Sequence, residues 1–199
     1  MKALPKPVTA LILLAGMGLA STAQADLIDR GFAVYDTDLN IYWMKNANAA
    51  GPMNWQAAKD WAAGLTIGGS TGWRLPTADT VCGNKFNCVN SELGHLYYVE
   101  LGVTQGNKIT SSTNTNFGLF TNVQDLGYWT STPDAASPTT LAWYFNTLNG
   151  RQGSFNQGSF NYAWAVHSGD ITIVPEPGVL GLLGVGALAW AGTKARRRG

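Results

Sequence analysis

The densest hydrophobic pattern lies late in the chain, between Gly127 and Ser168. Four stretches there combine aromatic and β-branched residues and are separated by turn formers: Gly127–Thr132, Leu141–Leu148, Arg151–Phe155 and Asn161–His167. They predict a four-stranded antiparallel meander. Asn149-Gly150 sits between LAWYFNTL and RQGSF, and this pair suits the positive φ angles of a two-residue type I′ turn. The run Trp143-Tyr144-Phe145 breaks simple in/out alternation. A strand of that kind needs cover on both faces, so the upstream chain must supply the covering layers.

Upstream, Phe32–Tyr35 and Ile41–Met44 read as short strands joined by the turn-rich Asp36-Thr37-Asp38-Leu39-Asn40. The period then becomes helical. Trp55, Ala58, Ala62 and Leu65 share one face with Trp61 beside it, Asn54 is the N-cap and Gly64 the C′ residue. Thr71–Thr77 is extended and ends at Pro76. A second helix, Glu92–Leu101, begins at Ser91 or Asn90, stops at Gly102 and carries Leu93, Leu96, Tyr97 and Leu101 as its apolar face. Val103–Leu126 is a long polar loop, a type that is usually functional or mobile. The predicted class is α+β, with two helices packed on antiparallel sheets and a late aromatic β-meander.

Both ends carry other signals. Met1–Ala25 has Lys2 and Lys6, an apolar Val8–Ala20 segment and a small-residue site predicting cleavage between Ala25 and Asp26. At the other end, Val174-Pro175-Glu176-Pro177 precedes an apolar run, Gly178–Ala191, and then Lys194 and Arg196-Arg197-Arg198. As a helix that run is about 21 Å long, against a hydrocarbon core of about 30 Å. This order resembles the PEP-CTERM sorting signal. The resemblance implies recognition by an exosortase, a transient inner-membrane insertion, cleavage near Pro175, Glu176 and Pro177, and delivery to the surface or matrix of a Gram-negative bacterium. An ordinary tail anchor is the alternative. Three segments follow: signal 1–25, one domain 26–173, and sorting segment 174–199.

Setting the ends aside changes the charge. The nominal +1 includes two basic residues in the signal and four in the tail, with Glu176. The 26–173 segment keeps seven basic and eleven acidic residues, a net charge of −4. Without a basic run it is a poor partner for nucleic acid. Its two cysteines, Cys82 and Cys88, predict a local disulfide in an exported protein.

Chemistry-bearing motifs are sparse. Asp36-Thr37-Asp38-Leu39-Asn40 begins like a calcium loop but has Ile41 where Gly is needed and Ala47 where Glu is needed. His95 shares a helix with Glu92 without further ligands at suitable spacing, so no metal or cofactor is expected. His167, Ser168 and Asp170 lack the elbow of a serine hydrolase. Gly68-Gly69 lacks the Lys-Ser/Thr of a phosphate loop.

Taken in order, YDTDLNIYWMKNA, NWQAAKDWAAGL, GWRLPT, SELGHLYYVELG, GLFTNVQDLGYWTST, LAWYFNTLNGRQ and YAWAVHSGD resemble one family, the C-terminal domain of the Legionella collagen-like protein. The resemblance covers nearly all of Tyr35–Asp170 and implies a C-type-lectin-like fold whose long loop region often carries the ligand. It also implies structural roles for Trp73 and Trp129 and an Arg74 tied to a carboxylate or carbonyls. The Pro-centred motifs of calcium-dependent sugar-binding lectins are absent. The basic surface that sulfated glycans require is reduced to scattered Lys85, Lys108 and Arg151. Cys82 and Cys88 do not fall in the arrangement of the sulfatase-modifying group.

The expected function is therefore a noncatalytic exported surface or matrix protein, binding carbohydrate such as an exopolysaccharide, or a matrix protein. A hydrolase or modifying enzyme on the same scaffold, or a purely structural matrix component, is the alternative. Contacts are expected in Val103–Leu126 and Pro133–Thr140, with Lys108, Asn114, Asn116, Phe117, Asn122 and Asp125 as the ligand-binding candidates.

Overall fold

The computed structural model describes residues 27–169 and residue 171. The expected signal and its Ala25–Asp26 cleavage point, Asp170, and the sorting segment with Pro175, Glu176 and Pro177 lie outside the described residues. The described chain contains two antiparallel sheets. One has the order β1 (Leu27–Asp29), β2 (Ala33–Asp36), β3 (Ile41–Met44) and β7 (Val166–Ser168). The other is a meander of β4 (Gly127–Pro133), β5 (Leu141–Asn146) and β6 (Arg151–Asn156). The α+β expectation matches this architecture.

Neighbouring residues on a strand point to opposite faces, and here both faces are apolar. On β3, Ile41 and Trp43 enter one core while Tyr42 enters a second. On β4, Tyr128 joins the first core and Trp129 the second. The helix α1 (Trp55–Ala63) covers the second core with Trp55, Ala58 and Ala62. The short helix α2 (Glu92–His95) runs into a π-helical turn (Leu96–Glu100), and together they bring Leu93, Leu96 and Tyr97 to the first core. The Trp143-Tyr144-Phe145 run is thus explained by cover on both sides.

Caps form where the sequence places them. The Asn54 side chain accepts from Ala57 N (2.9 Å), and Ser91 Oγ accepts from Gly94 N (3.1 Å). Gly64, by contrast, ends α1 with a right-handed φ of −80°, closing the helix with ordinary backbone bonds rather than a left-handed cap. Glycine is required at position 94 for another reason: a Cβ there would lie 2.0 Å from the Cys88 carbonyl oxygen.

The meander needs two corrections. It has three strands, because the predicted fourth does not continue it. Residues 162–166 instead alternate between the two cores: Ala163 and Ala165 in the second, Trp164 and Val166 in the first. Tyr162 bridges Tyr128 in parallel, and the chain then crosses to pair with β3 through β7. The predicted type I′ turn is also replaced. Asn146 pairs with Arg151, so the connection has four residues, and only Gly150 takes a positive φ (81°). A Cβ at Gly150 would meet Tyr98 Oη at 2.3 Å, so packing as well as φ demands glycine. β1 is a further strand that the sequence pattern did not mark. The 103–126 loop is anchored by buried Ile109 and Phe120 and contains two 3₁₀ turns (Ile109–Ser111 and Thr115–Leu119).

Tryptophan indoles tie distant segments together. Trp55 Nε1 donates to Thr130 O (2.7 Å) and Trp129 Nε1 to Met53 O (2.9 Å), clamping the start of α1 onto β4. Trp164 Nε1 donates to Met44 O (2.7 Å). The predicted Cys82–Cys88 disulfide is present. Its loop lies along β6: Gln152 N donates to Lys85 O (2.9 Å) and Ser154 N to Asn84 Oδ1 (2.8 Å). An edge strand left open would template aggregation, and the disulfide loop closes this one.

Two predictions follow from this packing. Replacing both Cys82 and Cys88 by serine lowers unfolding stability in urea by about 2 kcal/mol, the loop-closure value for so short a ring, with faster hydrogen exchange at Gln152 and Ser154. Gly94→Ala costs about 2–3 kcal/mol through overpacking against Cys88; an unchanged melting temperature would show that the helix–loop contact can relax.

Candidate functional site

The six residues expected to contact a ligand divide unevenly. Asn114 is half-buried and works internally: its Nδ2 donates to Glu100 O (2.9 Å), and its Oδ1 accepts from Asn116 N (2.9 Å). Asp125 accepts from Thr110 N (3.2 Å) and Thr110 Oγ1 (2.7 Å). Phe117 packs against the first core. Asn122 is exposed with φ 55°, and its Nδ2 donates to Asn46 Oδ1 (3.1 Å). Lys108 is exposed and Asn116 half-buried. The loop also shapes a depression of about 120 Å³ lined by Gly102, Val103, Thr104, Asn107, Ser111, Ser112 and Thr113. None of the six lines it.

A different surface forms on the meander. Tyr144 and Gly153 are cross-strand partners, as are Ala142 and Phe155, so Tyr144 and Phe155 share a face. The Tyr144 ring lies across that face. Its Cε1 is 2.9 Å from where a Gly153 Cβ would stand, and its Cδ2 is 3.1 Å from a Gly127 Cβ. A side chain at Gly153 would displace the ring, and one at Gly127 would strike Asn161 Oδ1 before crowding it. The half-buried Tyr144 ring, packed against the second core, is 5.7 Å from that of Phe155, which is 47% exposed. Asn84 and Asn161 approach the two glycines from either end of the ring. Asn161 Nδ2 is buried without a hydrogen-bond partner. Phe160, in the following turn, is 70% exposed. Pairing register brings these residues together, and no linear motif marks them.

The third feature is a buried polar cluster. Asp36 ends β2 and is fully buried; its Oδ1 accepts from Leu39 N (3.0 Å) and its Oδ2 from Trp43 Nε1 (3.2 Å). The 36–40 stretch that begins like a calcium loop is therefore a hairpin turn organised by Asp36. His95 Nε2 lies 3.2 Å from Glu100 Oε1 and 3.8 Å from Asp38 Oδ2. Burial pushes the Asp36 carboxyl above its ordinary range, and the hydrogen bond with Glu100 raises the His95 imidazole. Asp36, His95 and Glu100 bring one oxygen or nitrogen each within 4.8 Å of one another. The sequence offers no sign of this. In an α-helix residues five apart point about 140° apart, and only the i→i+5 bonding of the π turn, with Leu101 N donating to Leu96 O, turns Glu100 back toward His95.

Glu92, the acid one turn before His95, goes elsewhere. Arg74 grips it with two bonds, Nη1 to Oε2 (2.8 Å) and Nη2 to Oε1 (2.7 Å). Arg74 also donates to Ser168 Oγ and Leu75 O, while its backbone bridges Val166. His167 Nε2 sits on Thr71 O (3.0 Å) and stacks edge-on to Trp73. Trp73 and Trp129 are both buried. The tethering of Arg74 and the packing of both tryptophans agree with what the family resemblance implies.

The family profile of the Lcl C-terminal domain matches residues 32–167. The chain belongs to this family. The matched span runs from the residue before β2 into β7 and includes the Arg74–Glu92 pair, the disulfide loop, the long loop and the meander. A second profile, the PEP-CTERM protein-sorting motif, matches residues 174–198. That motif is a substrate signal for exosortase processing and marks an exported protein associated with the extracellular polymeric matrix, sorted to the envelope or extracellular space of Gram-negative bacteria. Among the described residues no helix is long and apolar enough to cross a membrane. No curated protein and no solved structure matches the chain.

Because the Arg74 fork reads both Glu92 oxygens, Arg74→Lys in this Lcl-type domain keeps the charge but lowers stability by about 2 kcal/mol, measured by thermal and urea unfolding. Recovery of full stability by lysine would make the contact a simple charge pair.

Proposed function

We propose that this member of the Lcl C-terminal domain family is a noncatalytic matrix protein with a C-type-lectin-like fold that holds neutral polysaccharide where Tyr144 and Phe155 emerge at the margin of the second core. The observation that carries this reading is the Tyr144 ring, set in the space that Gly127 and Gly153 leave, flanked by amide side chains and next to the exposed Phe155. Aromatic faces stack on the C–H faces of sugar rings, and amides bond hydroxyls without introducing charge. A domain with a net charge of −4 over residues 26–173 suits an uncharged glycan better than a sulfated one.

The cysteines and the Ser168 and His167 side chains, the nucleophile and base candidates of the sequence, are committed elsewhere, which supports a binding role. Both cysteines are in the disulfide, Ser168 Oγ accepts from Arg74, and His167 is bonded to Thr71. Two helices flanking antiparallel sheets, with a long ordered loop above one core, support the lectin-like reading. Insertion of the 174–199 segment into the inner membrane before exosortase cleavage completes the export route.

The test is binding of the purified chain to exopolysaccharide from the producing bacterium, with heparin as the charged comparison. Saturable binding to the exopolysaccharide is expected, weakened about tenfold by Phe155→Ala or Tyr144→Ala, the loss of one stacking contact. Variants Lys108→Ala and Asn122→Ala should bind normally. Loss in the loop variants alone would move the contact to the 103–126 loop, and failure to bind any glycan would end the carbohydrate reading.

A further inference from the structure

The buried cluster between the β2–β3 turn and the π turn has a feature that hydrogen bonding alone does not account for. Glu100 is 1% exposed, and its Oε2 has no hydrogen-bond partner. Its Oε1 faces His95 Nε2, so the carboxylate is turned into the cluster rather than toward solvent. A buried charged oxygen left unpaired costs several kcal/mol in ordinary circumstances, and native structures rarely retain one without a reason.

The surroundings deepen the problem. Asp36, fully buried, stands within the same cluster, and its two donors, Leu39 N and Trp43 Nε1, leave each oxygen a further lone pair. Among the described residues, the cationic group facing both carboxylates is the His95 imidazole. A single ring nitrogen, His95 Nε2, is approached by Glu100 at 3.2 Å and Asp38 at 3.8 Å. One N–H cannot serve both. A lone pair directed at a cation among these oxygens can.

We infer that Asp36, His95 and Glu100 form a binding site for one divalent first-row cation of the Zn²⁺ or Mn²⁺ kind, with Asp38 at its mouth. The donor set selects that class. Imidazole nitrogen favours first-row transition ions over Ca²⁺ and Mg²⁺, and the carboxylates supply the charge. The three donor atoms lie within 4.8 Å of one another. Around a cation with bonds of about 2.1 Å, ligand atoms stand about 3–4 Å apart, so closure needs side-chain movements of about an ångström. Asp38, with 45% of its side chain exposed, marks the solvent side and can give a fourth oxygen. The cation neutralises two buried carboxylates and fastens the β2–β3 turn to the π turn, which the intervening chain does not do directly. This assignment does not depend on the carbohydrate reading.

The full-length chain, free of any affinity tag and held in mild detergent, is stripped with EDTA and titrated with Zn²⁺, Mn²⁺, Ca²⁺ and Mg²⁺ by calorimetry, with parallel thermal melts. One equivalent of Zn²⁺ or Mn²⁺ should bind saturably and raise the melting temperature, with Ca²⁺ and Mg²⁺ much weaker. Glu100→Gln and His95→Gln should each lower the affinity by at least about tenfold, since even outer-shell changes cost that much, and Asp38→Asn by less. Folding of each variant is checked by near-UV circular dichroism. Absence of saturable Zn²⁺ or Mn²⁺ binding to the wild-type chain overturns the site without recourse to any variant. Binding that survives in folded Glu100→Gln and His95→Gln places the metal elsewhere and overturns it equally.

Discussion

The architecture depends on one segment, residues 161–168, passing between the two sheets and hydrogen-bonding to both. Tyr162 N donates to Gly127 O and its carbonyl accepts from Trp129 N, fastening it to the meander. Two residues later Trp164 Nε1 reaches Met44 O, Met44 N donates to Ala165 O, and Val166 exchanges bonds with Arg74. Side chains along this stretch alternate between the two cores, so it serves as a partition with apolar material on both sides. Small alanines at 163 and 165 leave room for Trp55, Trp73 and Trp129 on one side, while Trp164 fills the other. Without this crossing the meander and the N-terminal sheet would be separate units, each too small to bury its aromatics.

That same segment shows where sequence patterns lose information. Its aromatic and apolar residues read as a strand of the meander, but pattern alone cannot say which strand it joins. The pairing partner is set by the shape of the tryptophans around it, which is a tertiary property. The Asn149-Gly150 hairpin is similar. The dipeptide marks a reversal, yet Tyr97 and Tyr98 occupy the space beside Gly150, and the connection opens to four residues with Tyr98 Oη donating to the Gly150 carbonyl. Caps fare better because they are local: Asn54 and Ser91 need only bond amides three residues away.

Candidate functional groups are harder to read for a physical reason. The Tyr144 platform is made by register, with the glycines of two neighbouring strands falling beside one ring. The Asp36, His95 and Glu100 cluster depends on a break in helical periodicity and on a turn far earlier in the chain. A search for acids at i+3 or i+4 from His95 meets nothing of use, and Glu92 at i−3 is claimed by Arg74. The loop candidates show the opposite case. Asn114, Asp125 and Phe117 are the polar and aromatic residues one expects on a binding loop, but a loop without regular structure must satisfy its own backbone; Asn114 and Asp125 bond backbone groups, and Phe117 packs on the first core.

Export constrains the fold in a consistent direction. A protein released into a polymer-rich matrix cannot rely on chaperones, so open strand edges and mobile loops are liabilities. Here the β6 edge is covered by a loop that a disulfide shortens, and the long loop is pinned by Ile109, Phe120 and the Asn114 bond to the π turn. What remains exposed carries little charge. Stacking against sugar would gain most from a ring already held in place, and Gly127 and Gly153 leave the space that the Tyr144 ring occupies. The features that make the domain durable outside the cell are thus the ones that would prepare its surface for a polysaccharide.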